Sequence, residues 1–479
     1  MRIRMIAGAV GSLWTILAAS SAVMAQQAAD AEPAVTLEQR LDAQEQQILV
    51  LQRKLELQEE AAAGATASTP QVRATASRFS LGSADGANFI RLRGVLHADG
   101  RLVSGGATPA TADTFVLRRV RPTIEGTFGN IFDFRFTPDF AGGRTIALDA
   151  YAIARLAPWA ALQVGKFKVP VGLERIQSAT DIRFIERAFP TALLPNRDLG
   201  VQVSGDLAGG VVSYSLGYFN GVTDGGSSDG GTPADTETDT AGDWAGRVFV
   251  QPFLNSADVG LRGLGIGVGA TYVDVAGSSG LAQLAGYRTP GQQTFFSYRQ
   301  NNAATGVASN ATYANGRRLR VTPQFHYYRG RLGVLGEYAA VSQDVSRTVG
   351  GATRSDRLHN SAWQAQLSWF VTGEEAAFRG FTPASTYQVG RPGWGAFELV
   401  ARVQQLDVDN DAFAGGGNSF ANPATAASKA ASWGLGVNWY PHNSVKLSVN
   451  FDRTGFDGGA LTGDRGDENA LLTRFAINF

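Results

Sequence analysis

From Arg78 to the last residue the chain repeats one pattern that few folds accommodate: apolar and charged side chains alternate one for one. In 89–101, Ile90, Leu92, Leu96 and Ala98 alternate with Arg91, Arg93, His97 and Asp99. In 113–128, Val120, Ile124 and Phe128 stand against Arg119, Arg121, Thr123, Glu125 and Thr127. In 131–140, Phe132, Phe134 and Phe136 stand against Asp133, Arg135, Thr137 and Asp139. A period of two is that of a β-strand with one greasy and one charged face. A soluble sheet would bury the greasy face against a core, whereas a barrel in lipid turns it outward and points the charges into a lumen. Beyond the first stretch there is no run of about 20 apolar residues, so no transmembrane helix is available. A mean hydropathy of −0.08 is also too polar for a helical membrane protein. The chain has no cysteine, which excludes disulfides and thiolate metal sites and fits an oxidising compartment.

The segments before that pattern read differently. Residues 1–25 carry Arg2 and Arg4, an apolar core from Met5 to Ala19 and small residues to Ala25; they form a secretory signal peptide too short to span and stay. In residues 26–60, Leu37, Leu41, Gln44, Ile48, Leu51, Leu55 and Gln58 fall at spacings of four and three, a heptad seam. About three heptads are marginal for a lone helix, which leaves two readings, a solvated amphipathic linker or a short periplasmic coiled coil that supports an oligomer. Residues 61–78 then read as a small-residue linker.

Residues 79–479 hold the strands, expected at 88–103, 113–128, 131–140, 144–157, 160–168, 197–206, 210–219, 243–253, 261–276, 317–329, 331–344, 358–372, 395–409, 430–441, 444–455 and 469–479. The expected fold class is therefore all-β, a 16-stranded antiparallel transmembrane β-barrel with an N-terminal periplasmic helix. Long connections are expected at 221–242, 277–316, 345–357 and 409–430, and tight turns at 329–330 and 441–443. In the last strand Leu471, Thr473, Phe475, Ile477 and Phe479 share a face and the chain stops on an aromatic. Trp159, Trp369, Trp433, Trp439, Tyr440 and Tyr328 sit near strand ends, where an interfacial girdle would need them.

Net charge decides little, because 42 basic residues meet 42 acidic ones; bulk electrostatics points to no nucleic acid. Of the basic residues only Lys54, Lys166, Lys168, Lys429 and Lys446 are lysines. Arginine keeps its charge when partly desolvated and offers a fork of donors that matches oxyanions. The stretch 167–203, with Lys168, Arg175, Arg183, Arg187 and Arg197 among Phe, Ile and Pro, lacks a helical stripe. It reads as a basic loop held inside the barrel, since an irregular segment of roughly 30 residues usually binds or gates something.

LRGVLHADGR (92–101), FVLRRVRPTIEGTFGNIFDFRFTPDFAGG (115–143), LDAYA (148–152), GKFKVPVGLERIQS (165–178), FIERAFP (184–190) and RDLGVQVSG (197–205) together resemble the phosphate-selective porin O and P family. The resemblance implies a trimer of sixteen-stranded barrels in the outer membrane of a Gram-negative bacterium, each pore narrowed by infolded loops and lined by an arginine ladder. It puts Arg119 and Arg118 on that ladder, Arg91 or Arg93 at the first-strand arginine of the constriction, and Asp149 at the aspartate that holds the basic cluster. Arg175 stands where well-studied members have a lysine, and Ser178 where they have a serine; Arg187 follows in ERA. The Arg175 change keeps the charge but alters donor geometry, and Arg121 stands where an aromatic is common, which would broaden the pore towards anions in general. The implied partners are inorganic anions such as phosphate and pyrophosphate, outer-membrane lipid and two further copies of the chain, with no cofactor.

The physics of the residues runs the same way. A dehydrated oxyanion in a narrow passage needs donors to replace its water, and several modest sites in series release it better than one tight site. Against that, each arginine could be a lumen residue paired with a carboxylate, since Glu125, Asp133, Asp139, Asp149, Glu174 and Glu186 are at hand. Three other classes compete. The four histidines have no metal-ligand spacing, and no nucleophile elbow or HExxH occurs, which speaks against an enzyme. A general or carbohydrate-type porin would want a slide of lumen aromatics where the early strands offer arginines, and a barrel with a mainly structural, anchoring role would act through Leu37–Leu55.

Overall fold

The computed structural model describes residues 36–75, 78–105, 113–228, 242–301 and 310–479; the expected signal peptide lies outside them. The chain divides into two compact units, residues 1–69 and 70–479. In the first, helix α1 (Leu37–Ser68) opens with the Gln39 side chain accepting from the Thr36 backbone N–H at 3.2 Å. Its apolar residues Leu37, Leu41, Ile48, Leu51 and Leu55 are all exposed. The helix runs through Ala61–Ser68, so the expected linker does not begin at 61. Alanines favour continuation, and the stop comes at Thr69, which is extended (φ −86°, ψ 123°) because a residue before proline avoids the helical region. Gln71–Thr75 and Arg78–Gly82 then pair as two short strands.

In the second unit all sixteen expected strands are present: β1 (Phe89–Gly105), β2 (Thr114–Phe128), β3 (Phe132–Asp139), β4 (Ile146–Ala157), β5 (Ala160–Lys168), β6 (Arg197–Leu207), β7 (Val212–Phe219), β8 (Asp243–Val250), β9 (Leu264–Ala276), β10 (Thr312–Arg329), β11 (Leu332–Val349), β12 (Ala352–Phe370), β13 (Ala396–Asp407), β14 (Ala427–His442), β15 (Val445–Gly458) and β16 (Glu468–Asn478). Each pairs antiparallel with the next, and β16 pairs with β1 from Glu468↔Gly105 to Asn478↔Val95, which closes the barrel and leaves those two strands no free edge. Beyond the end of β16, the short strand Arg78–Gly82 takes over the remaining edge of β1, from Phe79↔Leu92 to Gly82↔Phe89. The terminal Phe479 exchanges two backbone hydrogen bonds with Gly94 at 3.1 Å. Its ring packs where a side chain would stand, since a Cβ on Gly94 would lie 2.4 Å from the ring.

Exposure along the strands is inverted relative to a soluble protein. On β12 the polar Asn360, Gln364, Gln366 and Ser368 are buried while Trp363, Leu367 and Trp369 are exposed. On β14 to β16, Asn438, Asn450, Asp452 and Arg474 are buried while Leu435, Val437, Val449 and Phe475 are exposed. The greasy face points out and the polar face in, the arrangement a barrel needs in lipid.

Two expectations about the rims change. The connection expected at 345–357 is the two-residue turn Gly350–Gly351, with β11 and β12 paired without a break from Leu332↔Trp369 to Val349↔Ala352. Both glycines have positive φ (58° and 82°), as a tight hairpin turn requires. Tyr440 and Tyr328 are not part of an outer girdle. Tyr440 follows Trp439 by one residue, so the period of two turns it inward, where its hydroxyl donates to Glu398 at 2.8 Å; Tyr328 packs on Phe378 at 6.2 Å between ring centres.

Candidate functional site

The connection between β5 and β6 fills part of the barrel interior. It contains two single-turn helices, Leu173–Ile176 and Pro190–Leu193, and Leu173, Glu174, Leu193 and Leu194 are fully buried. Polar side chains from the opposite wall hold it. On β11, Glu337 accepts from the N–H groups of Leu173 (2.6 Å) and Glu174 (3.3 Å). On β13, Gln404 accepts from the Phe189 N–H at 2.8 Å, and Arg402 donates to the Glu186 carbonyl at 2.9 Å. On β14 and β15, Asn438 donates to the Arg183 carbonyl at 3.0 Å, Lys446 to the Ile182 carbonyl at 2.9 Å, and Asn450 accepts from the Ile185 N–H at 2.7 Å. A buried ion pair, Arg183 to Glu398 at 2.9 Å, completes the attachment. A loop without its own ladder meets its backbone hydrogen-bonding needs this way, and the inward-facing polar positions of the far strands supply the partners.

The loop brings three cations together. Lys168 Nζ donates to the carbonyls of Ile176 (3.2 Å) and Gln177 (2.6 Å), and Arg187 donates to the same Gln177 carbonyl (2.8 Å) and to that of Glu174 (3.2 Å). Arg175 donates to the Thr191 carbonyl, and its Nε has no partner. All these acceptors are backbone carbonyls, and among the described residues none of the three cations forms an ion pair. Burial, then the charges of Arg187 and Arg197, push the Arg175 guanidinium down to about 9. Burial pushes Arg187 down to about 10, with Glu174 opposing and Arg197 adding to it. Both stay charged at neutral pH. Ser178 is exposed on the same loop and accepts from the Thr180 hydroxyl at 2.9 Å.

The other expected site residues are neutralised or lie elsewhere. Asp149 accepts from Arg197 Nε at 2.8 Å, beside the three cations. Arg121 is paired with Asp139 at 2.7 Å. Arg118 makes a two-pronged contact with Glu186 (2.8 and 3.2 Å), which also takes Arg101 at 3.2 Å. Burial raises Glu186, but the Arg118 charge outweighs it and holds the carboxyl well below its usual range. Arg91 and Arg93 converge on Glu125 at 3.3 and 3.6 Å, together with Arg135. Arg119 lies in the wall with only 3 % of its surface exposed, 3.0 Å from His97.

On the short-turn side of the loop lies a cavity of about 1290 Å³. Its lining includes eight basic side chains (Arg93, Arg121, Arg135, Arg155, Lys168, Arg197, Arg247, Arg379) against four acidic ones (Glu125, Asp149, Asp181, Asp206), an excess of four positive charges that favours anions. Sequence reasoning missed Arg155, Arg247 and Arg379, and it missed the connection that carries Arg379. Residues 371–395 join β12 to β13 on the rim of short turns, yet they fold inward. The carbonyls of Phe378 and Ala377 accept from Gln177 (2.8 Å) and Arg183 (2.7 Å) of the infolded loop. The signal was available in the length of that connection on a rim where most turns are tight. Among the described residues no group of three or more His, Asp and Glu side chains is placed to hold a metal ion.

Residues 90–479 match the family model described as phosphate-selective porin O and P. Porin O of Pseudomonas aeruginosa is 25% identical over 154 residues, covering 30% of this chain and 33% of that protein; the chain thus aligns with about a third of that relative. Among solved structures, the outer membrane channel DcaP of Acinetobacter baumannii gives a TM-score of 0.49 at 10% identity, covering 82% of this chain and 98% of that one. An anion-selective porin from Comamonas acidovorans gives 0.48 at 12% identity, covering 82% and 100%.

Proposed function

The chain belongs to the phosphate-selective porin O and P family, a family of Gram-negative outer-membrane β-barrels, and from that premise we propose that it forms an arginine-lined, water-filled channel for passive uptake of inorganic anions, phosphate or polyphosphate foremost. The observation that carries this reading is the trio Lys168, Arg175 and Arg187, whose hydrogen bonds go to backbone carbonyls. None of the three is locked in an ion pair among the described residues, although the Glu174 and Asp149 carboxylates lie nearby, and Arg175 and Arg187 sit on a loop pinned across the lumen. An anion that sheds water there meets donors in its place, while a cation meets like charge. Arg118, Arg121, Arg91 and Arg93, each shared with a carboxylate, act as weaker steps that draw anions towards the trio without trapping them.

The working unit is a homotrimer in outer-membrane lipid. Residues 1–25 direct export and are removed, and α1, which leaves Leu41, Ile48 and Leu55 exposed, is in the periplasm and joins its counterparts in a short coiled coil. The test is planar-bilayer conductance in chloride with phosphate, pyrophosphate or sulfate added. Millimolar phosphate should block chloride current; chloride current indifferent to all three oxyanions would instead favour a general porin.

A further inference from the structure

Behind the infolded loop, the wall holds a set of donors that the channel does not use. His97 on β1, Lys446 on β15 and Arg474 on β16 line a cavity of about 10 Å³ together with Thr180 and Ile182. That is room for one particle about the size of a water molecule, far too little for phosphate, and none of the residues around it is a carboxylate. His97 is 1 % exposed, and Arg119 Nη1 lies 3.0 Å from its Nδ1. A guanidinium can only donate, so Nδ1 accepts and the ring proton is on Nε2. That Nε2 has no partner in the protein. It is a buried donor on a cavity lined by two cations.

The charges around it do not balance. Arg474 is satisfied by Asp99 through two bonds of 2.7 Å. Lys446 has the Ile182 carbonyl at 2.9 Å and Arg119 has the His97 ring. Three cations against one carboxylate leave two positive charges in the wall. Of the nearby carboxylates, Glu186 is engaged with Arg101 and Arg118 and Glu398 with Arg183, while Asp181 takes the Thr180 hydroxyl and forms no ion pair with Lys446 among the described residues. Buried charge without a counterion is costly. A water molecule would accept the His97 proton and leave that surplus as it is, whereas a monatomic anion accepts the proton and halves the surplus.

We infer that this cavity is a resident halide site, in which one chloride-class ion accepts from His97 Nε2–H and offsets one of the two surplus charges in the wall between β1, β15 and β16. The ion is structural and is not part of the transported stream, so the inference stands apart from the channel's selectivity. Crystals of the exported protein grown with sodium bromide in place of chloride, measured at the bromine edge, should give an anomalous peak beside His97 Nε2. The peak should persist in His97→Gln, whose amide can accept from Arg119 and donate onward, and vanish in His97→Phe. In parallel, the thermal midpoint should be higher in sodium bromide than in sodium gluconate at equal ionic strength, and His97→Phe should lose that difference. Density without anomalous signal would mean a water and overturn the inference. So would an empty cavity, or a bromide peak undiminished in His97→Phe, which would mark an adventitious ion only. If His97→Phe does not assemble, the wild-type map decides alone.

Discussion

Replacing Arg175 by glutamine isolates the charge on which the channel reading depends. Arg175 reaches the Thr191 carbonyl, and a glutamine amide can still donate there, so the loop keeps its shape while one of the three cations disappears. A unit charge about 4 Å from a bound anion contributes about 1 kcal/mol in bulk water and about 4 kcal/mol at an effective dielectric of about 20. The half-buried loop lies between those limits, so the loss should be about 2 kcal/mol, roughly thirtyfold in a binding constant. The assay is the phosphate concentration that halves chloride conductance in single channels of wild type, Arg175→Gln and Arg175→Lys. Arg175→Gln should need roughly thirty times more phosphate. Arg175→Lys, which keeps the charge and loses the planar fork, should fall between. Equal blocking concentrations for all three would refute the reasoning, because a neutralised trio would then bind anions as well as the intact one.

Three further outcomes follow from the contacts described above. Glu398→Gln leaves Arg183 buried without its counterion, at 2 % side-chain exposure, and should cost about 3 kcal/mol of stability; a lower thermal midpoint and noisier open-channel current should appear together, because the pair also pins the infolded loop. Gly94→Leu puts a side chain into the space of the Phe479 ring, where even a Cβ would approach to 2.4 Å, so the fraction of heat-modifiable, folded barrel on unboiled gels should drop sharply. The guanidinium groups of Arg175 and Arg187 titrate at about 9 and 10, and a cation loses its charge only as pH rises towards such values. Their contribution to the anion-to-cation permeability ratio should therefore be flat between about pH 5 and 8; a step in that range would assign selectivity to another titrating group of the lumen instead.

What the sequence made legible was the part written in local periodicity. Each strand carries its own alternation, so on β1 Ile90, Leu92 and Leu96 could be sorted from His97 and Asp99 before any contact was known, and the first three are exposed while the last two are buried. Local signals failed where a polar run kept the strand period through a turn, as from Val345 to Arg357, and where alanines carried α1 past Glu60. The pairing of charges could not be read at all. Arg118 meets Glu186 across 68 positions, and Arg183 meets Glu398 across the barrel. Which arginines are cancelled and which are left for an anion is thus a property of the closed fold. Arg175 and Arg187 were named with seven others from resemblance and Lys168 from the basic loop, and geometry alone sets the three apart.

The most direct test of the account is the reversal potential of the reconstituted channel under a tenfold potassium chloride gradient. A basic lumen with the cation trio should give a potential of the sign set by chloride, close to the chloride equilibrium value. A potential near zero, or one of the sign set by potassium, would contradict it.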